Sequence, residues 1–93
     1  MIWTVPLAKT YRCKVALSPP EERTGLIAVR AVNLPGAASQ GDTEQEAIAN
    51  IADALVGAIA SYRADGQEIP WQDECECDDL RWCEIRYVFV TVG

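Results

Sequence analysis

The order of apolar and polar positions divides the chain into five segments. From residue 11 to 18, Tyr11, Cys13, Val15 and Leu17 alternate with Arg12, Lys14, Ala16 and Ser18. A period of two is the signature of a half-buried strand. Pro19-Pro20-Glu21-Glu22-Arg23-Thr24-Gly25 then predicts a turn, because two prolines cannot donate to a ladder and Gly25 tolerates positive φ. Residues 26–33 are apolar apart from Arg30 and Asn33, which predicts a second, more central strand paired with the first as a hairpin. Leu34-Pro35-Gly36 predicts another turn, residues 37–39 a short third strand, and Gln40-Gly41 the exit from it. There the period lengthens. Ile48, Ile51, Ala52, Leu55, Ile59 and Tyr62 recur at helical spacing and predict one long helix over residues 43–65.

The helix ends are marked by their own chemistry. Asp42 and Thr43 are both good N-caps, and Thr43-Glu44-Gln45-Glu46 has the form of a capping box, so Asp42, Thr43 and Glu46 read as structural. Glu44 and Glu46 place negative charge in the first turn, Arg63 lies in the last, and Gly66 suits the position just past the end. Residues 67–79 form a polar connector containing Pro70, Trp71 and five acids: Asp73, Glu74, Glu76, Asp78 and Asp79. Residues 81–92 return to strand character. Cys83, Ile85, Tyr87 and Phe89 fall on one face, with Val88, Val90 and Val92 on the other.

The pattern therefore predicts an α+β fold of order β-β-β-α-β, with three antiparallel strands, one long helix and a closing strand. A right-handed crossover would bring the closing strand parallel to the first. One helix covers one sheet face. Val88, Val90 and Val92 are therefore expected to need another surface, most simply a two-fold contact in a homodimer or higher homo-oligomer.

Length and composition narrow the class. Ninety-three residues accommodate one domain, over residues 1–93, and the 49% hydrophobic content is that of a globular chain. No apolar run approaches the roughly 20 residues that span a bilayer, and residues 1–9 lack the features of a signal peptide, so a cytoplasmic protein is expected. The net charge of −6 leaves no basic stripe of the kind a free-standing nucleic-acid binder carries. Such acidity suits a basic protein partner, and equally keeps a small protein in solution. Four cysteines without a signal peptide are expected to be reduced. Cys75, Cys77 and Cys83 match no common zinc spacing and the chain has no histidine, so neither a metal nor a cofactor is expected. Their spacing leaves a redox role open.

Catalysis finds little support. Histidine, the commonest general base, is absent. Metal-dependent nuclease chemistry needs several acids on adjacent strands, and the interiors of the predicted strands offer Glu84 alone. Cys13 lies on the apolar face of its strand, where a core thiol is the simpler reading. The helix N-terminus is a poor phosphate site, because Glu44 and Glu46 would repel an anion.

One contiguous set of residues resembles a known family. Leu34-Pro35-Gly36-Ala37-Ala38-Ser39-Gln40-Gly41-Asp42-Thr43-Glu44-Gln45-Glu46-Ala47 resembles the signature of HicB-like antitoxins, in which Ala37 is commonly cysteine. The match continues through Asn50-Ile51 and Ala54, and Asp65-Gly66-Gln67-Glu68-Ile69-Pro70 resembles a further family segment. The strand ending in Ser18-Pro19-Pro20-Glu21-Glu22 also fits, so the likeness spans roughly residues 11–71. The resemblance implies a partial ribonuclease-H-like fold without that fold's catalytic carboxylates. It also implies a partner, a small basic HicA toxin that cleaves RNA through a histidine. Many such antitoxins carry a C-terminal module for operator DNA; residues 1–93 contain no such segment, so operator binding is not expected of them.

The expected function is thus to bind and neutralise a HicA-type toxin ribonuclease, without enzymatic activity. The alternative is an orphan ligand-binding or oligomeric domain with no toxin partner. Candidate partner-binding residues are Leu34, Pro35, Gln40, Trp71, Asp73, Glu74, Glu76, Asp78 and Asp79. Each has a plainer reading beside it: Leu34-Pro35-Gly36 as a rigid turn, and the acidic run as a solvated loop rather than a mimic of an RNA backbone.

Overall fold

The computed structural model describes residues 8–72 and 84–92. Five elements follow in the expected order: β1 (Lys9–Leu17), β2 (Ile27–Ala31), β3 (Ala38–Gly41), α1 (Glu44–Ala64) and β4 (Glu84–Val92). The strands form one antiparallel sheet in the order β3-β2-β1-β4. The alternation in β1 works as read. Cys13, Val15 and Leu17 turn toward the helix and are buried, together with Val29 and Ala31 from β2. From α1, Ala47, Ile51, Leu55 and Ile59 meet them at a spacing of four, with Ile48 and Ala52 half-buried beside them. Leu34 and Ala37 close the core below the second turn.

The helix is held at both ends as its sequence implies. Thr43 has extended backbone and its Oγ1 accepts a 3.0 Å hydrogen bond from the Glu46 amide. At the far end Gly66, at φ 68°, lets its own amide reach the Arg63 carbonyl and the Gln67 amide reach the Tyr62 carbonyl at 2.9 Å. These two bonds make a Schellman ending, which glycine permits at no steric cost.

Two expectations are corrected. The closing strand runs antiparallel to the first, in a register from Lys9 opposite Val92 to Leu17 opposite Glu84. In a β-α-β crossover the helix makes the return journey and the next strand runs against it. Here α1 and β4 run the same way: Arg86 near the start of β4 pairs with Glu44 at the start of α1, and Arg63 near the end of α1 donates to the Val92 carbonyl. α1 therefore does not make the return that a crossover assigns to it. The second correction follows from the first. Val88, Val90 and Val92 are buried against α1 inside this chain and require no second copy, which removes the motive for a two-fold contact there. What β4 leaves uncovered is its other face, where Phe89 is 66% exposed and Tyr87 44%.

Candidate functional site

The residues singled out by the sequence separate into three places. The first is the end of the β2–β3 connection. Leu34 is a core residue, 1% exposed, so it anchors the turn from beneath; Pro35 is exposed above it. Gly36 adopts φ 89°, a backbone state that a side chain disfavours. Trp71 packs on Tyr11 with ring centroids 5.7 Å apart and a tilt of 30°, and remains 40% exposed. The next residue, Gln72, donates its amide to the Asn33 carbonyl at 2.9 Å. Asn33 in turn accepts the Lys14 amide on its Oδ1 at 3.2 Å. Pro35 and Trp71 are thus joined through Asn33, which sequence reasoning passed over. Asparagine at a strand exit just before Leu-Pro-Gly is a turn-forming signal that marks it. Asp73, Glu74, Glu76, Asp78 and Asp79, with Cys75, Cys77 and Cys83, lie outside the described residues.

Gln40 belongs elsewhere. It lies at the opposite end of β3 from the Leu34-Pro35-Gly36 turn, paired with Ala28, and its carbonyl accepts the Asn50 side-chain amide at 2.8 Å. That bond ties β3 to α1 and gives both residues a structural task. Gly41 has a comparable explanation. A Cβ built on it would lie 2.8 Å from the Glu46 carbonyl carbon and 2.9 Å from the Ala47 Cα. The Ser39-Gln40-Gly41-Asp42-Thr43 segment is therefore a tight strand-to-helix junction: glycine for the close approach, threonine for the cap.

The second place is the end of the sheet where β1 stops and α1 begins. Leu17, Ser18, Pro19, Pro20 and Ile27 wall a cleft of about 350 Å³, with Glu44 and Glu84 at its margin. Arg86 spans both acids, its Nε 2.9 Å from Glu44 Oε1 and its Nη2 2.7 Å from Glu84 Oε2. All three side chains are substantially exposed, and such pairs contribute at most about 1 kcal/mol. Their meeting was hidden from the sequence because it depends on β4 starting where α1 starts. The guanidinium already occupies the position between the two carboxylates that a divalent cation would need. Cys13, the described thiol, is fully buried, and burial pushes its pKa above the usual value, which suppresses the thiolate a nucleophile requires.

The third place is the sheet face away from α1. Arg12 lies directly opposite Phe89 and Lys14 opposite Tyr87, and the Arg12 guanidinium sits 4.2 Å from the centroid of the Tyr87 ring.

This arrangement of strands, junction and turn was compared with known proteins. No family model matches the chain. Over 64 residues, 69% of its length, it is 39% identical to antitoxin HicB 1 of Photorhabdus laumondii subsp. laumondii. The chain belongs to the HicB-like antitoxins. It spans 40% of the length of that relative. Its fold is that of the HicB N-terminal domain. The crystal structure of this domain from the Burkholderia pseudomallei antitoxin HicB superposes with a TM-score of 0.67 at 18% identity, covering 84% of this chain and 95% of that one. The longer Burkholderia pseudomallei HicB structure gives 0.65, again at 18% identity, over 89% of this chain and 62% of that one. In this HicB-like chain the segment that carries the sequence resemblance, residues 34–47, is accounted for by the turn, the close junction and the helix cap.

Proposed function

We propose that this chain is an antitoxin that binds a basic HicA-type toxin ribonuclease and blocks its RNA cleavage, and that it catalyses no reaction itself. The observation that carries this reading is the 39% identity to an antitoxin HicB. The same fold in a HicB N-terminal domain supports it. A physical means is available in the charge. Asp73, Glu74, Glu76, Asp78 and Asp79 follow directly on Gln72, whose amide is bonded beside the exposed Pro35 turn. An acidic run in an antitoxin competes for the cationic side chains with which a ribonuclease holds phosphates. Trp71 adds an apolar anchor of the kind that dominates interfaces. The lack of catalysis is supported by the absence of histidine, by the burial of Cys13 and by the tie between Arg86 and its two acids.

The test is RNA cleavage by the cognate toxin, titrated with the full chain. Cleavage should stop near equimolar ratio. Undiminished cleavage at several-fold excess would end the antitoxin reading and favour an orphan domain.

A further inference from the structure

We propose that the open face of the sheet binds single-stranded nucleic acid, with bases stacking on Phe89 and on the Arg12 guanidinium that lies over Tyr87, and the phosphate backbone tracking the positive charge of Arg12 and Arg30. Strand register assembles this face from residues far apart in the sequence. Arg12, Lys14 and Ala16 come from β1, Ala28 and Arg30 from β2, Ala38 from β3, and Tyr87 and Phe89 from β4. The chain as a whole carries 14 acids against 8 lysines and arginines. Among the described residues, no acid lies on this face: Glu84 projects from β4 toward the helix side, where Arg86 holds it. Arg12, Lys14 and Arg30 thus share a face from which the described acids of the β1–β2 turn, of α1 and its two ends, and of Glu84 are absent.

The shape agrees with the charge. Ala16, Ser18, Ala28 and Ala38 floor a shallow trough of about 190 Å³ with Arg30 at its wall. Ala16 is 2% exposed although it faces away from α1, so its methyl lies below the level of its neighbours. Beyond the trough, one and two pairs further along this face of the β1–β4 ladder, Tyr87 and Phe89 stand exposed side by side on one strand, a contiguous aromatic surface of the kind that marks a contact site. A nucleobase offers both a flat π-surface for the rings and an attached anion for the guanidinium groups, the combination used by sheet platforms that bind single strands. Arg12 is already stacked on Tyr87, so its planar guanidinium extends the stacking surface. A second copy placed face to face would bring a second set of the same positive charges onto this surface, and a basic protein would be repelled in the same way. The proposal does not depend on the antitoxin reading, since the cleavage titration and the experiment below use different surfaces.

The experiment is fluorescence anisotropy of a short labelled oligouridine titrated with the full chain, beside oligothymidine and a duplex of equal length. The expected result is a dissociation constant of roughly 1–100 µM for the single strands that rises with salt, with weaker binding of the duplex. Phe89→Ala should weaken binding roughly five- to hundred-fold. Phe89→Trp should restore it, and Arg12→Glu combined with Arg30→Glu should abolish it while the circular dichroism of each variant stays native. No anisotropy change at high micromolar protein would overturn the proposal. So would equal affinity for duplex, or binding indifferent to these variants. Sedimentation showing a dimer that Phe89→Ala dissociates, in protein that binds no oligonucleotide, would assign the face to a second copy instead.

Discussion

At the scale of single residues, Cys13 and Gly41 show how one position is decided by its surroundings. Cys13 is fully buried, and desolvation raises its thiol pKa above the ordinary value of 9.0. The folded state thus favours the neutral thiol. Its contribution to stability is fully present below about pH 9, where both states are protonated, and is lost as pH rises past 9 and the unfolded thiol ionises first. In a variant with Cys75, Cys77 and Cys83 changed to serine, Cys13 should resist a thiol reagent at pH 8 until urea unfolds the chain. Stoichiometric labelling of the folded protein would contradict its place in the core. Gly41 was legible as the exit of a short strand, but its necessity was not. Its backbone needs no positive φ; what demands glycine is the approach of Glu46 and Ala47 from the first turn of α1. That is a contact between elements, which no local pattern reveals. Gly41→Ala should cost about 1–3 kcal/mol by overpacking, read as a lower denaturation midpoint at unchanged slope. An unchanged midpoint would mean that β3 and α1 separate freely at the junction.

At the scale of elements, period and end signals carried nearly everything about what forms, and little about how the last strand runs. The helix was bounded to within a residue at each end, because Thr43, Arg63 and Gly66 all act at the position they occupy. The four strands were found because each alternates or is bounded by proline and glycine. The direction of β4 was misjudged because no period in the sequence says whether the strand after α1 runs with the helix or against it. The same error misassigned the valines: a strand apolar on both faces does not say which face meets the helix, and only pairing with β1 shows that Val88, Val90 and Val92 do. The helix stripe itself is testable. Leu55 is fully buried mid-helix among β-strand side chains. Leu55→Ala should destabilise the protein by about 2–5 kcal/mol through lost burial and the remaining cavity. Against the 5–15 kcal/mol typical of whole domains this is a large share, so the melting temperature should fall visibly. A change below about 0.5 kcal/mol would mean that α1 packs through another face.

At the scale of the whole molecule, the sign of the net charge was plain from the sequence, but its arrangement was not. The described acids sit in the turn after β1, along α1, around Glu84 and past the helix end, while Arg12 and Arg30 share the opposite side of the sheet. The described part of the molecule is therefore polarised, so that a basic partner of the kind proposed would be drawn to some surfaces and turned from others. This polarity gives a kinetic prediction for the antitoxin reading. Opposite potentials raise the encounter rate and orient the encounter, while the short-range contacts set the lifetime of the complex. Exposed charges are screened beyond about 8–10 Å at physiological ionic strength, so the association rate with the toxin should fall steeply as salt is added while dissociation changes little. Replacing Asp73, Glu74, Glu76, Asp78 and Asp79 by asparagine and glutamine should reproduce the high-salt association rate at low salt, because it removes most of the net charge. Trp71→Ala should act in the opposite way, shortening the complex lifetime with little effect on association, since an apolar anchor exerts no force at a distance. Stopped-flow mixing at several salt concentrations separates the two. If the acidic variant associates as fast as the wild type and dissociates faster, the run makes close contacts in the complex, and the steering role passes to the acids of α1 and the β1–β2 turn.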